Sequence, residues 1–345
     1  MEPYPQQIET EQALDEFLTR PEPELVEWAR TVSSPLVLLG AGGKLGPTLA
    51  VLARRAAQAA GCKLEIVAAS RFSDPAARAW LEERHVRTLA CDLMERAALQ
   101  QLPNTDNLIY LAGMKFGTSE NPAATWAAST LLPANVCERY PHSRIVALSS
   151  GSIYPLTPVA RGGVLETEPL TPLGEYANAC VGRERIFEYY SQRNATPVVL
   201  LRLFYAVELR YGLLVDLAYK VFSEQPIDLS MGYFNWIWQG DANGLILRSL
   251  ALARTPPAAY NLTRPQIQSV RSVAEQFGEL LGKPAHLTGR EADTALLGNP
   301  AGLCAALGAP QAPLELVMRW IAGWLQRDGR LLGKPTHFEV RDGRY

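Results

Sequence analysis

The chain is poor in the residues that would tie it to metal, disulfide, nucleic-acid or membrane chemistry. Its five cysteines, Cys62, Cys91, Cys137, Cys180 and Cys304, stand singly, an odd number without a C-x-x-C pair. That argues against a disulfide framework or zinc site and suits a reduced compartment. Histidine is scarce: His85, His142, His286 and His337 are the four, and none is paired with a nucleophile. No metal is expected. There is no basic run, no basic stripe interleaved with aromatics, and the formal net charge is −2, so a nucleic-acid surface is not expected. No apolar run reaches the ~18 residues that span a bilayer, and the first 31 residues are acidic and amphipathic, unlike a signal peptide. A cytoplasmic protein is the expectation. Repeats and low-complexity segments are also missing.

What the chain does have is an alternation of short apolar runs with helical segments. Strands are expected at Leu36–Leu39, Leu64–Ala69, Val86–Ala90, Leu108–Ala112, Arg144–Leu148 and Pro197–Phe204. Helices are expected at Lys44–Ala60, Pro75–Glu83, Ala123–Glu138 and Glu175–Ser191. Apolar strands of about five residues alternating with helices imply a parallel sheet covered on both faces. The predicted fold class is α/β, a Rossmann-type doubly wound parallel sheet with a smaller C-terminal substrate lobe. The expected divisions are a helical extension over residues 1–33, a dinucleotide-binding domain over 34–204, and a substrate lobe and tail over 205–345, partly interleaved with it. Helices near Val270–Leu281 and Pro313–Gln326 belong to that lobe.

The most informative run is Gly40-Ala41-Gly42-Gly43-Lys44-Leu45-Gly46, between a strand and a helix. A glycine turn there lets backbone approach a pyrophosphate, and the helix start supplies N–H groups and a positive dipole end. Leu45 stands where G-x-G-x-x-G needs its third glycine, so the register is Gly40-x-x-Gly43-x-x-Gly46. A phosphate loop of NTPase type is excluded, since Leu45 replaces the Ser or Thr that would bind magnesium. The second strand ends in Ser70-Arg71, with no carboxylate for an adenosine ribose hydroxyl. Ser70, Arg71 and Lys44 offer donors and charge for a 2'-phosphate, so NADP(H) is the preferred cofactor, with NAD(H) kept open. The alternative is that Arg71 is an ordinary solvated residue opening a loop. Asp92 of Asp92-Leu93 either accepts from an adenine amino group or caps the helix that follows.

Taken in order, these motifs resemble the extended short-chain dehydrogenase/reductases, the NAD(P)-dependent epimerase/dehydratase family. The resemblance covers roughly residues 35–323. It rests on the glycine turn, Asp92-Leu93, Leu111-Ala112-Gly113-Met114-Lys115, Ser149-Ser150-Gly151-Ser152-Ile153-Tyr154, Tyr176, Arg202 with Tyr211-Gly212, and Trp236–Asp241. The Ala112-Gly113-x-Lys115 segment is similar to that of UDP-galactose 4-epimerases. The resemblance implies cofactor contacts at Ala112, Gly113 and Lys115, a tyrosine acid/base at Tyr176 and a hydroxyl partner at Ser150. It also implies a lysine four residues after the tyrosine, which binds the cofactor ribose and lowers the phenol pKa. Here the sequence departs: Cys180 occupies the lysine position, and Ser129 stands where the family has asparagine.

A phenol with pKa near 10 is ionised in roughly one molecule per thousand at neutral pH, so without a cation Tyr176 is a poor base. Arg183, seven residues on and about 20° around the helix, is one candidate replacement; its side chain leans back toward the helix start. The alternative is a solvated helix-surface residue. Lys115 is a second candidate. Cys180 is either a thiolate acid/base or a small apolar filler. Ser150, Ser152, Arg202, Arg210 and Trp238 are the expected substrate contacts, although alternate tryptophans also suit core packing. Two functions remain: an enzyme oxidising, reducing or epimerising a hydroxyl-bearing carbon of a sugar-like small molecule, or a dinucleotide-binding sensor or scaffold with a diverged site. A homodimer is left open.

Overall fold

The computed structural model describes residues 4–114, 120–334 and 336–344. Seven strands form one parallel sheet: β1 (Leu36–Leu39), β2 (Ile66–Ser70), β3 (Arg87–Ala90), β4 (Asn107–Tyr110), β5 (Arg144–Ser150), β6 (Val198–Leu203) and a later strand, β7 (Ala258–Leu262). Their order is β7-β6-β5-β4-β1-β2-β3, with every pairing parallel. This is the doubly wound order, whose direction reverses between β1 and β4, the switch point at which such sheets bind ligands. Register brings Leu39 level with both Ala69 and Tyr110, so the segments following β1, β2 and β4 emerge together.

The helices are α1 (Glu11–Leu18), α2 (Pro23–Thr31), α3 (Gly46–Ala59), α4 (Pro75–Glu83), α5 (Arg96–Leu99), α6 (Pro122–Arg139), α7 (Gly174–Asn194), α8 (Leu213–Phe222), α9 (Gln239–Arg248), α10 (Val270–Leu281), α11 (Ala301–Leu307) and α12 (Leu314–Gln326). Strand residues alternate between two apolar layers. Leu36, Leu38 and Val146 pack on the α3 side, while Val37, Leu39, Ile145 and Ala147 pack on the α6–α7 side. A third apolar cluster joins α8, α10 and α12 around Trp236, Trp238 and Trp320. The N-terminal helices divide between these layers: Leu14 and Leu18 of α1 enter the tryptophan cluster, and Leu25 and Trp28 of α2 enter the α3 layer.

Several boundaries moved. The first sheet helix starts at Gly46 rather than Lys44, because residues 40–45 are used by the turn. The third strand starts at Arg87, Val86 being drawn into a turn with Leu81. The seventh strand, β7, was not anticipated. Its sequence, Ala258-Ala259-Tyr260-Asn261-Leu262, lacks a continuous apolar run, and it is recruited by pairing with β6.

Candidate functional site

The glycine turn is held by the neighbouring strands. The amides of Gly40 and Ala41 donate to Ala69 O at 2.8 and 3.2 Å, and Gly43 N donates to Gly40 O at 3.3 Å. Gly40 has φ +82°, and a Cβ there would lie 2.7 Å from Ala112 N, so only glycine fits where the turn crosses the end of β4. A Cβ at Gly46 would come within 2.3 Å of Ala41 O, which makes it the residue that lets α3 start tightly behind the turn. Leu45 occupies the N-cap and provides no side-chain cap, so the first amides of α3 face out of the turn without a capping oxygen. These features fit a dinucleotide pyrophosphate.

Around the turn, Ser70 stands against Gly42, whose Cβ would meet Ser70 Oγ at 2.8 Å. Arg71 is exposed. The Lys44 ammonium lies over the Tyr211 ring, 3.1 Å from its centroid. Asp92 Oδ1 accepts from Met94 N at 3.0 Å, closing a turn ahead of α5 rather than capping that helix, whose N-cap is Glu95, and Leu93 is buried in the α6–α7 layer. Lys115 lies outside the described residues.

The reactive candidates converge where β5 meets α7. Ser150 ends β5, and its Oγ accepts from Ser152 N at 3.2 Å. Tyr176, in the first turn of α7, hydrogen-bonds Ser150 and Cys180. Burial pushes the Tyr176 phenol well above its ordinary value; Cys180 adds to that shift, while Arg183 and the Ser150 hydrogen bond oppose it. Cys180 is fully buried.

Arg183 is not a solvated surface residue: it is only 5 % exposed. Helix α6 packs over it and supplies Ser129, whose Oγ accepts from Nη2 at 3.3 Å, while Leu148 O accepts from Nη1 at 3.2 Å. The guanidinium lies against the backbone of Gly113, where a Cβ would come 2.6 Å from Nη2. Burial opposes its charge, but Cys180, Tyr110, Tyr176 and Glu184 together outweigh that and hold the arginine protonated. Its Nε has no hydrogen-bond partner among the described residues, and neither do the buried hydroxyls of Tyr110 and Ser149. Tyr110 and Ser149 were not singled out from sequence. Both sit at strand ends beside residues that were, but nothing in the local pattern marks them.

The expected substrate contacts are mostly elsewhere. Arg202 is 4 % exposed and is locked to Glu184 by bonds of 3.1 Å (Nε) and 2.8 Å (Nη2), with further bonds to the Tyr154 hydroxyl and Glu166 O. It is a buried structural ion pair. Arg210 is held by Glu208, Asp15 and Glu11 at 3.1, 3.1 and 3.3 Å, tying α1 to the segment before α8. Trp238 is 2 % exposed and packs with Phe17 and Trp320, at centroid distances of 6.0 and 5.5 Å. All three satisfy partners within the fold, which is why they are not free for a substrate. Ser152 lines a small cavity of about 20 Å³ beside Tyr154, and the C-terminal residues Val340, Arg341 and Gly343 form its other wall. Arg341 is pinned there by Ser230 O and Thr294 O, both at 2.8 Å. A separate cavity of about 100 Å³ lies between the α1–α2 connection and α9, lined by Tyr4, Phe17, Trp238 and Asp241.

Strand order and the glycine turn define a Rossmann-type protein. Residues 36–207 match the NAD dependent epimerase/dehydratase family, and this half of the chain belongs to it. Solved structures share the fold over most of the chain. UDP-glucose 4-epimerase of Thermus thermophilus, solved with NAD, is 17 % identical with a TM-score of 0.68, covering 85 % of this chain and 99 % of that one. The UDP-Glc/GlcNAc 4-epimerase of Campylobacter jejuni is 18 % identical with a TM-score of 0.70, covering 86 % and 100 %. The dTDP-glucose 4,6-dehydratase DesIV of Streptomyces venezuelae, with NAD and TYD bound, is 14 % identical with a TM-score of 0.73, covering 85 % and 97 %. No curated protein sequence matches the chain. Among the described residues no helix is long and apolar enough to cross a membrane.

Proposed function

We propose that the protein is an NAD(P)-dependent oxidoreductase or epimerase acting on a hydroxyl-bearing carbon of a sugar or sugar-acid derivative. The observation that carries this reading is the Tyr176 phenol hydrogen-bonded to Ser150 beside the buried Arg183 guanidinium. The bound dinucleotide supplies the hydride acceptor and donor. Gly40, Gly42, Gly43 and Gly46 with the start of α3 would hold its pyrophosphate. Ser150 and Tyr176 would bind the reacting oxygen and carry its proton, with Arg183 supplying the positive charge that the family places on a lysine. Ser70 and exposed Arg71 favour NADP(H) over NAD(H). Removing the phenol in Tyr176→Phe should lower turnover by about 10²–10⁴-fold and leave dinucleotide affinity unchanged. Coupled nicotinamide absorbance, with UDP- and dTDP-sugars and free sugar acids as trial substrates, measures the first, and titration calorimetry the second.

Burial of the phenol and the missing lysine favour the second reading, a dinucleotide-binding sensor or scaffold. Tight NADP(H) binding with no turnover of any trial substrate, and no change between wild type and Tyr176→Phe, would select it.

A further inference from the structure

Arg183 is a buried cation to which no carboxylate bonds among the described residues. Its described partners are a carbonyl and a hydroxyl, and its Nε is left without one. Taking a charge out of water without an opposite charge costs several kcal/mol, a cost that an adjacent anion offsets. The groups whose charge it feels are Cys180 and Tyr176 on α7, Tyr110 on β4, and Glu184. Both oxygens of Glu184 are engaged by Arg202. Tyr110 is wholly buried against Phe187, 5.1 Å between centroids, and burial pushes its phenol well above the ordinary value, so it stays protonated. That leaves Tyr176 and Cys180, hydrogen-bonded to each other in one buried cluster and spaced three to four residues apart on the α7 face that carries Arg183. Within such a pair the proton leaves the stronger acid, and an ordinary thiol, near 8.5, is stronger than a phenol near 10.

We infer that Cys180 is held as a thiolate beside the Arg183 guanidinium, accepts a hydrogen bond from the Tyr176 phenol, and is the resting proton acceptor of the site. This deepens the proposed function and rests on it for its catalytic consequence. As a substrate hydroxyl is oxidised, its carbon giving up a hydride to the nicotinamide that the proposed function supplies, its proton passes to the Tyr176 oxygen while the Tyr176 proton passes to the Cys180 sulfur, forming S–H. The negative charge that was on sulfur thereby neutralises the departing proton, and the phenol ends as it began. Reduction runs the same two transfers backwards. Arg183 is a positioning residue in this scheme: it keeps its own proton and fixes where the negative charge resides.

The charge state is measurable without cofactor or substrate. A thiolate absorbs near 240 nm, and the difference between wild type and Cys180→Ser isolates this sulfur from the other four. Burial pushes Cys137 to about 12 and raises Cys91 and Cys304, so these stay protonated near neutrality. The expected result is a thiolate signal at pH 7 that titrates away below neutrality, shifts upward by at least one pH unit in Arg183→Met, and is retained in Arg183→Lys. No difference signal between pH 5 and 9, or the same midpoint in wild type and Arg183→Met, would overturn the inference. If Arg183→Met does not fold, the wild-type midpoint against that of Arg183→Lys and the Cys180→Ser baseline still decides: a midpoint above 8 overturns it. A confirmed thiolate together with absent NAD(P)H binding would instead sink the proposed function and leave the thiolate standing.

Discussion

Two buried arginines lie in neighbouring layers of the same sheet and are treated in opposite ways. Arg202 meets the carboxylate of Glu184 through two parallel bonds and adds Tyr154 and a backbone carbonyl. Arg183, adjacent in sequence to that same glutamate, makes two long bonds to neutral oxygens, and its Nε has no partner among the described residues. A pair of that first kind belongs to the fold, because each charge satisfies the other. A cation with no carboxylate partner, beside a hydrogen-bonded tyrosine and cysteine, contributes little to stability and a great deal to the acidity of its neighbours.

The contrast is sharpest in stability. Arg202→Met strands Glu184 as an unpaired buried carboxylate and should cost about 3–5 kcal/mol, read from the denaturant midpoint. Arg183→Met strands no carboxylate, because the Cys180 thiolate can take up a proton, and its stability should stay within about 1 kcal/mol of wild type, while turnover falls by at least ~10²-fold. If the two variants lose equal stability, the distinction between them is wrong.

An intermediate case sharpens it further. Asp241 is a partly buried carboxylate that accepts from the backbone amides of Gln311 and Ala312, at 2.8 and 2.9 Å. Burial pushes it up to about 6 from 3.8, with those amides pulling the other way. The folded state therefore holds this proton more tightly than the unfolded chain. The associated stability is fully present below pH ~4 and is lost as pH rises through about 6, by about 2–3 kcal/mol at most. Asp241→Asn should flatten the stability profile across that interval; a profile parallel to wild type would remove Asp241 from this series. The smallest effect is expected at the surface. NADPH should bind at least tenfold more tightly than NADH, about 1.4 kcal/mol, and Arg71→Ala should remove most of that difference in titration calorimetry.

Much of the sheet was readable because its strands are short, apolar and separated by glycine turns or helices, a pattern that local chemistry imposes. The glycine turn was readable for the same reason: the positions that meet backbone at Ala112 and Ala41 admit only glycine. Arg183 was harder. Ile186 and Phe187 at its i+3 and i+4 positions offer no carboxylate, and its burial arises from α6, whose placement over α7 is a tertiary event. Arg202, Arg210 and Trp238 look like ligand contacts in isolation. They become structural only through Glu184, the acidic residues of α1 and the ring of Trp320, partners too distant in sequence for any periodicity to reveal. β7 was hidden by Tyr260 and Asn261, the latter spending its side chain on Val164 O and Asn299 O.

The start of α7 rests on the far end of the chain. Gly174, at φ +77°, faces Gly343 so closely that a Cβ would lie 2.1 Å from its carbonyl oxygen. Thr336 is tied to Asp216, Phe338 is buried, and Glu339 pairs with Lys220. Contacts between such distant positions carry the largest loop-closure entropy, and they form only after the loops between them are ordered. The glycine turn, by contrast, is assembled from strands between residues 36 and 112. During folding, amides of β1, β2 and β4 should therefore gain protection from hydrogen exchange before the first turn of α7 does. On the proposed function, the nucleotide cradle would form early and the tyrosine's setting late, so a partly folded chain would be competent to hold a dinucleotide before it could use one.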